Sequence, residues 1–338
     1  MLASAPYICA ASKTSFDGTV IGHGEHRYRV DTLWSQADPE KTPVKDCHEM
    51  VQAADGHLIL LTNHQQNNVL VFEPDGKLVD AWTLNFGGAH GLSIHSEASG
   101  EQFLYITDAG AGKVVKTTLS GEVILELPSA LDCGAYKKSQ PYHPTETAIG
   151  PTGDIYVADG YGSQYILRFD KAGKFISKFG GKSTQATNKD KFMQAHGVAL
   201  DTRGAEPLIV CTARIKNEFK WFTLDGNYSH SVYLPGAYVS RPVISENYLY
   251  SGVCFGSYQY DYRMYQGRGF VTILDKDGII VSAPGGKQPV YEGKDLTVLL
   301  QDQAVFNNCH DVCIDTDQNI YVCQWASDKV YPYKLHRV

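Results

Sequence analysis

The strongest constraint on this chain is a phrase that it repeats. His196-Gly197-Val198-Ala199-Leu200-Asp201 is echoed by His90-Gly91-Leu92-Ser93-Ile94 and by His310-Asp311-Val312-Cys313-Ile314-Asp315, and more loosely by His48-Glu49-Met50-Val51. Each copy is followed by a turn and a β-rich run, as where Asp317-Gln318-Asn319 precedes Ile320-Tyr321-Val322. The copy with the best-preserved body, Thr145-Glu146-Thr147-Ala148-Ile149, has threonine in place of the histidine. It runs on through Ile155-Tyr156-Val157-Ala158-Asp159-Gly160-Tyr161 to Gly173-Lys174-Phe175-Ile176 as four short alternating segments separated by turn residues. A repeat of about 40–50 residues made of four strands is the pattern of a β-propeller blade.

Counting the copies gives an all-β, six-bladed propeller. Blades begin at His48, His90, Thr145, His196, near Arg241, and at His310. The fifth is the least regular, with a tyrosine-rich stretch from Tyr258 to Tyr265 expected to roof the mouth of the molecule. The run His26 to Trp34 alternates like a strand but has no blade of its own, while the last repeat stops one strand short. The expectation is that residues 26–36 complete the final blade and close the ring, removing an exposed sheet edge. Residues 1–25 read as an arm, and residues 26–338 as one propeller domain.

Composition narrows the function. A net charge of −7 argues against a nucleic-acid partner or an anionic membrane surface. No apolar run approaches the ~20 residues of a membrane-spanning helix. The N-terminus lacks the basic region of a signal peptide. The eight cysteines are scattered with no Cys-x-x-Cys pair, which fits reduced thiols in a cytoplasmic protein. Cys309 and Cys313 flank His310, but Cys313 should alternate with Val312 in a strand and reads as core.

The first strand of each blade lines the central channel, so equivalent positions form a ring around one mouth. That ring reads His48, His90, Thr145, His196, Arg241, His310. His90, His196 and His310 alternate with other blades, so sixfold geometry sets them about 120° apart, aimed at one axis. Three imidazoles with a fourth position open is the arrangement of a catalytic zinc site. A single His-Gly dipeptide would sooner be a structural histidine; three in register favour a divalent metal, whether zinc, iron or manganese. His48 breaks the alternation and reads either as a substrate-contacting residue or as structural. A second ring, from the loops after the second strands, contributes Asn63-His64, Asp108, Asp159-Gly160-Tyr161, Thr212-Ala213-Arg214 and Gln324-Trp325. Tyrosine beside a dication and an arginine would have a lowered pKa and suit a general base or acid. Arginine suits a substrate carboxylate.

Three runs, Ile155 to Tyr161, Gly173 to Ile176 and Ala195-His196-Gly197-Val198-Ala199-Leu200, resemble peptidyl-α-hydroxyglycine α-amidating lyase. That family is a six-bladed propeller of the NHL-repeat type, and the likeness covers blades two to six. It implies that His90, His196 and His310 match zinc ligands, Tyr161 the catalytic tyrosine, and Arg214 an active-site arginine. It also implies a structural calcium at Asp311 and the backbone of Leu92. The family cleaves the Cα–N bond of a C-terminal α-hydroxyglycine, releasing a peptide amide and glyoxylate. Three features depart. The family's other active-site arginine falls at Asn63 or His64, its disulfide cysteines are unmatched (Gly162 follows Tyr161), and no copper hydroxylase pattern appears.

The expectation is therefore a metal-dependent lyase breaking a C–N or C–O bond of a small-molecule or peptide substrate with an anionic group. Asn63, His64, His48 and Arg241 are candidate substrate contacts. The rivals are a hydrolase or hydratase on the same centre, and a non-catalytic NHL propeller that binds a protein or glycan.

Overall fold

The structure, a computed structural model, describes residues 16–185 and 187–338; most of the expected N-terminal arm (residues 1–15) lies outside the described residues. Among the described residues six antiparallel sheets form the blades, and a two-stranded ribbon, Tyr291–Glu292 with Asp295–Leu296, stands apart from them. Blade one is built from Cys47–Gln52, Leu58–Thr62, Val69–Phe72 and Leu78–Trp82. Blades two, three and four repeat this plan, beginning with Ala89–Ser96, Glu146–Ile149 and Ala195–Asp201.

The core lies between blades. Side chains on a strand alternate between two faces, and here both faces meet a neighbouring blade. The second strands Leu58–Thr62 and Ile155–Ala158 are consequently buried along their whole length. This explains why they read as continuous apolar runs. Ile59, Leu61 and Val69 of blade one pack against Leu92, Leu104 and Ile106 of blade two. Outer strands such as Val123–Glu126 are largely exposed.

Inner strands approach one another so closely that the glycine of the His-Gly pairs becomes obligatory. A Cβ on Gly91 would lie 2.4 Å from the Thr145 carbonyl oxygen and 2.8 Å from Glu146 Cα. On Gly197 it would lie 2.6 Å from Arg241 Cα.

The last sheet holds Cys309–Ile314, Ile320–Gln324 and Tyr333–Arg337, then His26–Asp31 and Val20–His23. His26–Asp31 pairs with Tyr333–Arg337 from Tyr28 opposite Arg337 to Asp31 opposite Lys334. Val20–His23, placed in the arm by the sequence, adds a fifth strand as a hairpin with it, so a boundary at residue 26 would cut that hairpin.

Blade five differs. Its first strand is broken into Ala237–Val239 and Val243–Ser245, both paired with the long strand Tyr248–Tyr258. Pro242, which has no N–H to give, stands in the break. The ring position is thereby corrected by one residue: Ser240, whose N–H reaches the Gly252 carbonyl at 2.9 Å, stands where the histidines stand, and Arg241 lies one step down the channel. Among the described residues no helix is long and apolar enough to cross a membrane. The seven described cysteines are free, and Cys313 packs in the core between blades six and one.

Tyr28, fully buried, fills the space between blades five and six with Tyr250, Val271 and Val312. Tyr28→Ala should destabilise the protein by about 3–5 kcal/mol, as large aromatic truncations do. Urea unfolding monitored by tryptophan fluorescence measures it, and a loss below about 1 kcal/mol would show that the N-terminal strand contributes little to closing the core.

Candidate metal centre and active site

At one mouth of the channel the ring-position histidines meet. The ring centroids of His90, His196 and His310 form a nearly equilateral triangle with sides of 4.8, 4.8 and 5.0 Å. His48 sits beside one edge, 4.9 Å from His90 and 4.6 Å from His310. All four are buried. Among the described residues, the group of three whose ligand nitrogens all lie within 4.8 Å of one another is His48, His90 and His310, which includes His48 and not His196. Two triads therefore overlap on His90 and His310, and sequence spacing had singled out only the first.

Backbone carbonyls fix two tautomers. His90 Nδ1 donates to the Thr145 carbonyl at 2.9 Å, and His310 Nδ1 donates to the His48 carbonyl at 3.0 Å. A carbonyl can only accept, so each ring keeps its proton on Nδ1 and turns an Nε2 lone pair inward. The Nε2 of His310 and the Nδ1 atoms of His48 and His196 are buried without hydrogen-bond partners among the described residues. Buried lone pairs left without partners are costly unless something binds them. A cation held by imidazoles whose other nitrogens are pinned by carbonyls fits this donor set.

Burial also keeps the rings neutral. It lowers the pKa of His90, His196 and His310 well below the ordinary value, with neighbouring imidazoles and Arg214 adding repulsion, and that of His48 to about 3, with Lys45 and Arg214 adding repulsion. A neutral imidazole is the form that ligates.

The second-ring residues mostly arrive at the same cavity, of about 350 Å³. The Tyr161 hydroxyl stands 3.1 Å from His90 Nε2 and 3.0 Å from His196 Nε2, while the rest of the residue, 40% exposed, borders the mouth. Burial raises its pKa and the Arg214 charge pulls it back, so without a cation its phenol is held protonated. Asp159 holds the Tyr161 loop by accepting from Tyr136 Oη and the His143 N–H, each at 2.7 Å. Arg214 is buried, donating from Nε to the Val239 carbonyl at 3.2 Å and from Nη2 to Ser240 Oγ at 2.9 Å. Asn63 lines the cavity; His64 faces a separate surface hollow with Lys45 and Gln65.

Sequence reasoning placed Trp325 in the second ring, and it does line this cavity; Gln194 and Cys254 were missed. For Phe255 and Met264 the signal was the tyrosine-rich stretch. That stretch forms a hairpin, Tyr248–Tyr258 with Asp261–Tyr265, which lends Phe255 and Met264 to the cavity. Its Tyr260 and Tyr262 rings stay exposed, 86% and 58%.

Arg241, expected as a substrate contact, is not at this cavity. Its guanidinium lies deeper in the channel, bidentate to Asp311 (Nε to Oδ1 3.0 Å, Nη2 to Oδ2 2.8 Å). Nη1 also donates to the Leu92 carbonyl at 2.6 Å. The oxygens expected to hold calcium therefore already carry a cation. Burial raises the Asp311 pKa to about 6 and the Glu49 pKa well above normal, against the pull of Arg241. The opposite mouth opens into a wider hollow of about 600 Å³ that none of the four ring histidines lines.

No family model matches the chain. Individual relatives do. Peptidyl-α-hydroxyglycine α-amidating lyase 1 of Drosophila melanogaster is 28% identical over 238 residues, 66% of this chain and 39% of that protein. NHL repeat-containing protein 3 of Homo sapiens is 27% identical over 186 residues, 52% of each. The chain is a relative of the amidating lyases and NHL-repeat propellers. Its match spans about half the length of the human relative and less of the fly enzyme. Among solved structures, a gluconolactonase of Xanthomonas campestris aligns over 91% of this chain and 89% of its own at TM-score 0.58 and 14% identity. A streptogramin B lyase aligns over 94% and 98% at TM-score 0.55 and 14% identity. At such identities the likeness concerns the fold.

The buried imidazoles make a pH prediction. A pKa lowered in the folded protein contributes stability that is present above the unfolded value of 6.5 and is lost as pH falls. For His48 the window runs from 6.5 down to about 3. Metal-free wild type should lose about 1.4 kcal/mol more than metal-free His48→Asn between pH 7.5 and 5.5, by chemical denaturation. Equal losses would show that His48 charges freely in the fold.

Proposed function

We propose that the chain is a divalent-metal lyase whose cation is held by His90, His196 and His310, with His48 beside it. The observation that carries this reading is the nearly equilateral triangle of the three rings with the Tyr161 hydroxyl against two of them. Zinc suits three neutral imidazoles with an open position, although iron and manganese accept imidazole too. When bound, the cation would polarise a substrate oxygen and favour the ionised form of nearby acids.

The chain's own residues supply the rest. Arg214, its position fixed by Val239 and Ser240, offers charge to a substrate carboxylate. Phe255, Met264 and Trp325 offer an apolar wall to the group on the other side of the scissile bond. Tyr161, once ionised, takes the proton of a carbinol hydroxyl. As the hydroxyl oxygen forms a carbonyl, the C–N pair leaves with nitrogen and Tyr161 returns the proton to it. For an α-hydroxyglycine the products are an amide and glyoxylate, and the fly relative is named as an α-hydroxyglycine amidating lyase. At Asn63 or His64, where the resemblance implies an arginine, this chain has none, which leaves one fixed charge fewer for the substrate.

Elemental analysis and turnover test this together. Wild type should carry one divalent metal per chain and release glyoxylate from an α-hydroxyglycine peptide. His196→Ala should lose the metal and His48→Ala keep it. Tyr161→Phe should lower kcat by about 10²–10⁴-fold with the metal retained. Arg214→Met should raise KM for a carboxylate substrate while leaving its amidated analogue unaffected. A wild type that carries no metal would favour a binding propeller, and a product heavier by one water would favour a hydrolase.

A further inference from the structure

Below the histidines, the channel holds a second layer made of the residues that follow the ring positions: Glu49, Gly91, Glu146, Gly197, Arg241 and Asp311. Arg241 crosses from blade five to three other inner strands. It grips Asp311 of blade six with two bonds of 3.0 and 2.8 Å, the Met50 carbonyl of blade one at 3.2 Å and the Leu92 carbonyl of blade two at 2.6 Å. Glu49 and Glu146 carboxylates lie 3.6 and 3.8 Å from its nitrogens. The three gripped residues stand one or two places after His310, His48 and His90.

We propose that Arg241 is an internal, covalently tethered cation that does in this channel what a bound calcium would do, and that it is thereby the positioning residue of the histidine centre. The chemistry of the donors carries this. Carboxylate and backbone carbonyl oxygens converging from several strands are the ligands of a hard cation. Here the planar guanidinium satisfies them, its directed N–H groups matching the Asp311 carboxylate bidentately and reaching two carbonyls besides. Arginine keeps its charge at any ordinary pH, so the channel retains its cation when free calcium falls.

The blade-five break is what makes this geometry available. It sets Arg241 between Val239 and Val243, off the regular ladder, with its Cα close enough to Gly197 that only glycine fits there. Because the guanidinium ties strands of blades six, one and two to blade five, it fixes how far apart His310, His48 and His90 stand. Residues that orient ligands in this way typically change metal affinity by about 10–100-fold when lost.

The calcium half stands by itself; the positioning half rests on the metal-site reading above. Full-length wild type, dialysed against a calcium chelator and then supplied with 1 mM calcium (a concentration of about that order suffices even for weak calcium sites), should show an unchanged melting temperature and no bound calcium. One bound calcium per chain, or a clear rise in melting temperature, overturns the internal-cation assignment whatever happens at the histidines. Arg241→Gln should bind cobalt(II) at the histidines at least about 10-fold more weakly, read by its visible spectrum. It should also gain a calcium-dependent rise in melting temperature that wild type lacks. Arg241→Lys, which keeps charge without the fork, should fall between the two in cobalt affinity. Unchanged cobalt affinity in both variants overturns the positioning role. Wild type that takes up no cobalt defeats the metal-site reading and the positioning role resting on it, and leaves the calcium comparison to decide the rest.

Discussion

Six strands brought side by side around one axis cannot all carry side chains on their channel side. That crowding governs the rest of the structure. Where two inner strands nearly touch, a glycine is required, as at Gly91 against Glu146 and Gly197 against Arg241. Where they do not, whatever stands there is buried and forced against its counterparts. Propeller closure thus turns residues hundreds of positions apart, such as His48 and His310, into ring neighbours at 4.6 Å.

The same crowding sets the chemistry of each layer. In the upper layer, desolvation strips the histidines of their protons, and carbonyls of Thr145 and His48 choose which nitrogen stays free. What results is a set of neutral lone pairs in need of a partner. In the lower layer, desolvation acts on three carboxyl groups, and the Arg241 charge offsets it together with the backbone N–H groups of Leu92, Met50 and Thr147. Cationic support below and neutral ligands above are two outcomes of one cause. The acidic residue after a ring histidine, Asp311 after His310 or Glu49 after His48, couples them through the backbone.

Much of this was legible in the chain. Blade count, the strands of blades one to four and the register of the histidines could be read because a propeller repeats its local pattern, and pattern is what a sequence displays. Tyr161 and Arg214 were legible as second-ring residues for the same reason, and both line the cavity. Blade five was misread by one residue at Arg241, because its first strand is interrupted around Pro242 and alternation fails as a guide there. His64 and Asn63 could not be told apart by sequence, since the turn lies between the cavity and a surface hollow; Asn63 borders both and His64 only the hollow. Val20–His23 carried too short a pattern to be recognised as a strand.

Sequence alone determined a six-bladed propeller and put imidazoles at one level of its channel, because register along a strand is local and each blade states it again. Tertiary structure decided which histidines share space, and that His48 is among them. It also decided that Leu92 and Asp311 face a guanidinium. Those outcomes depend on distances between strands of different blades, set by twist, by glycine contacts and by one broken strand, and the order of residues states no such distance.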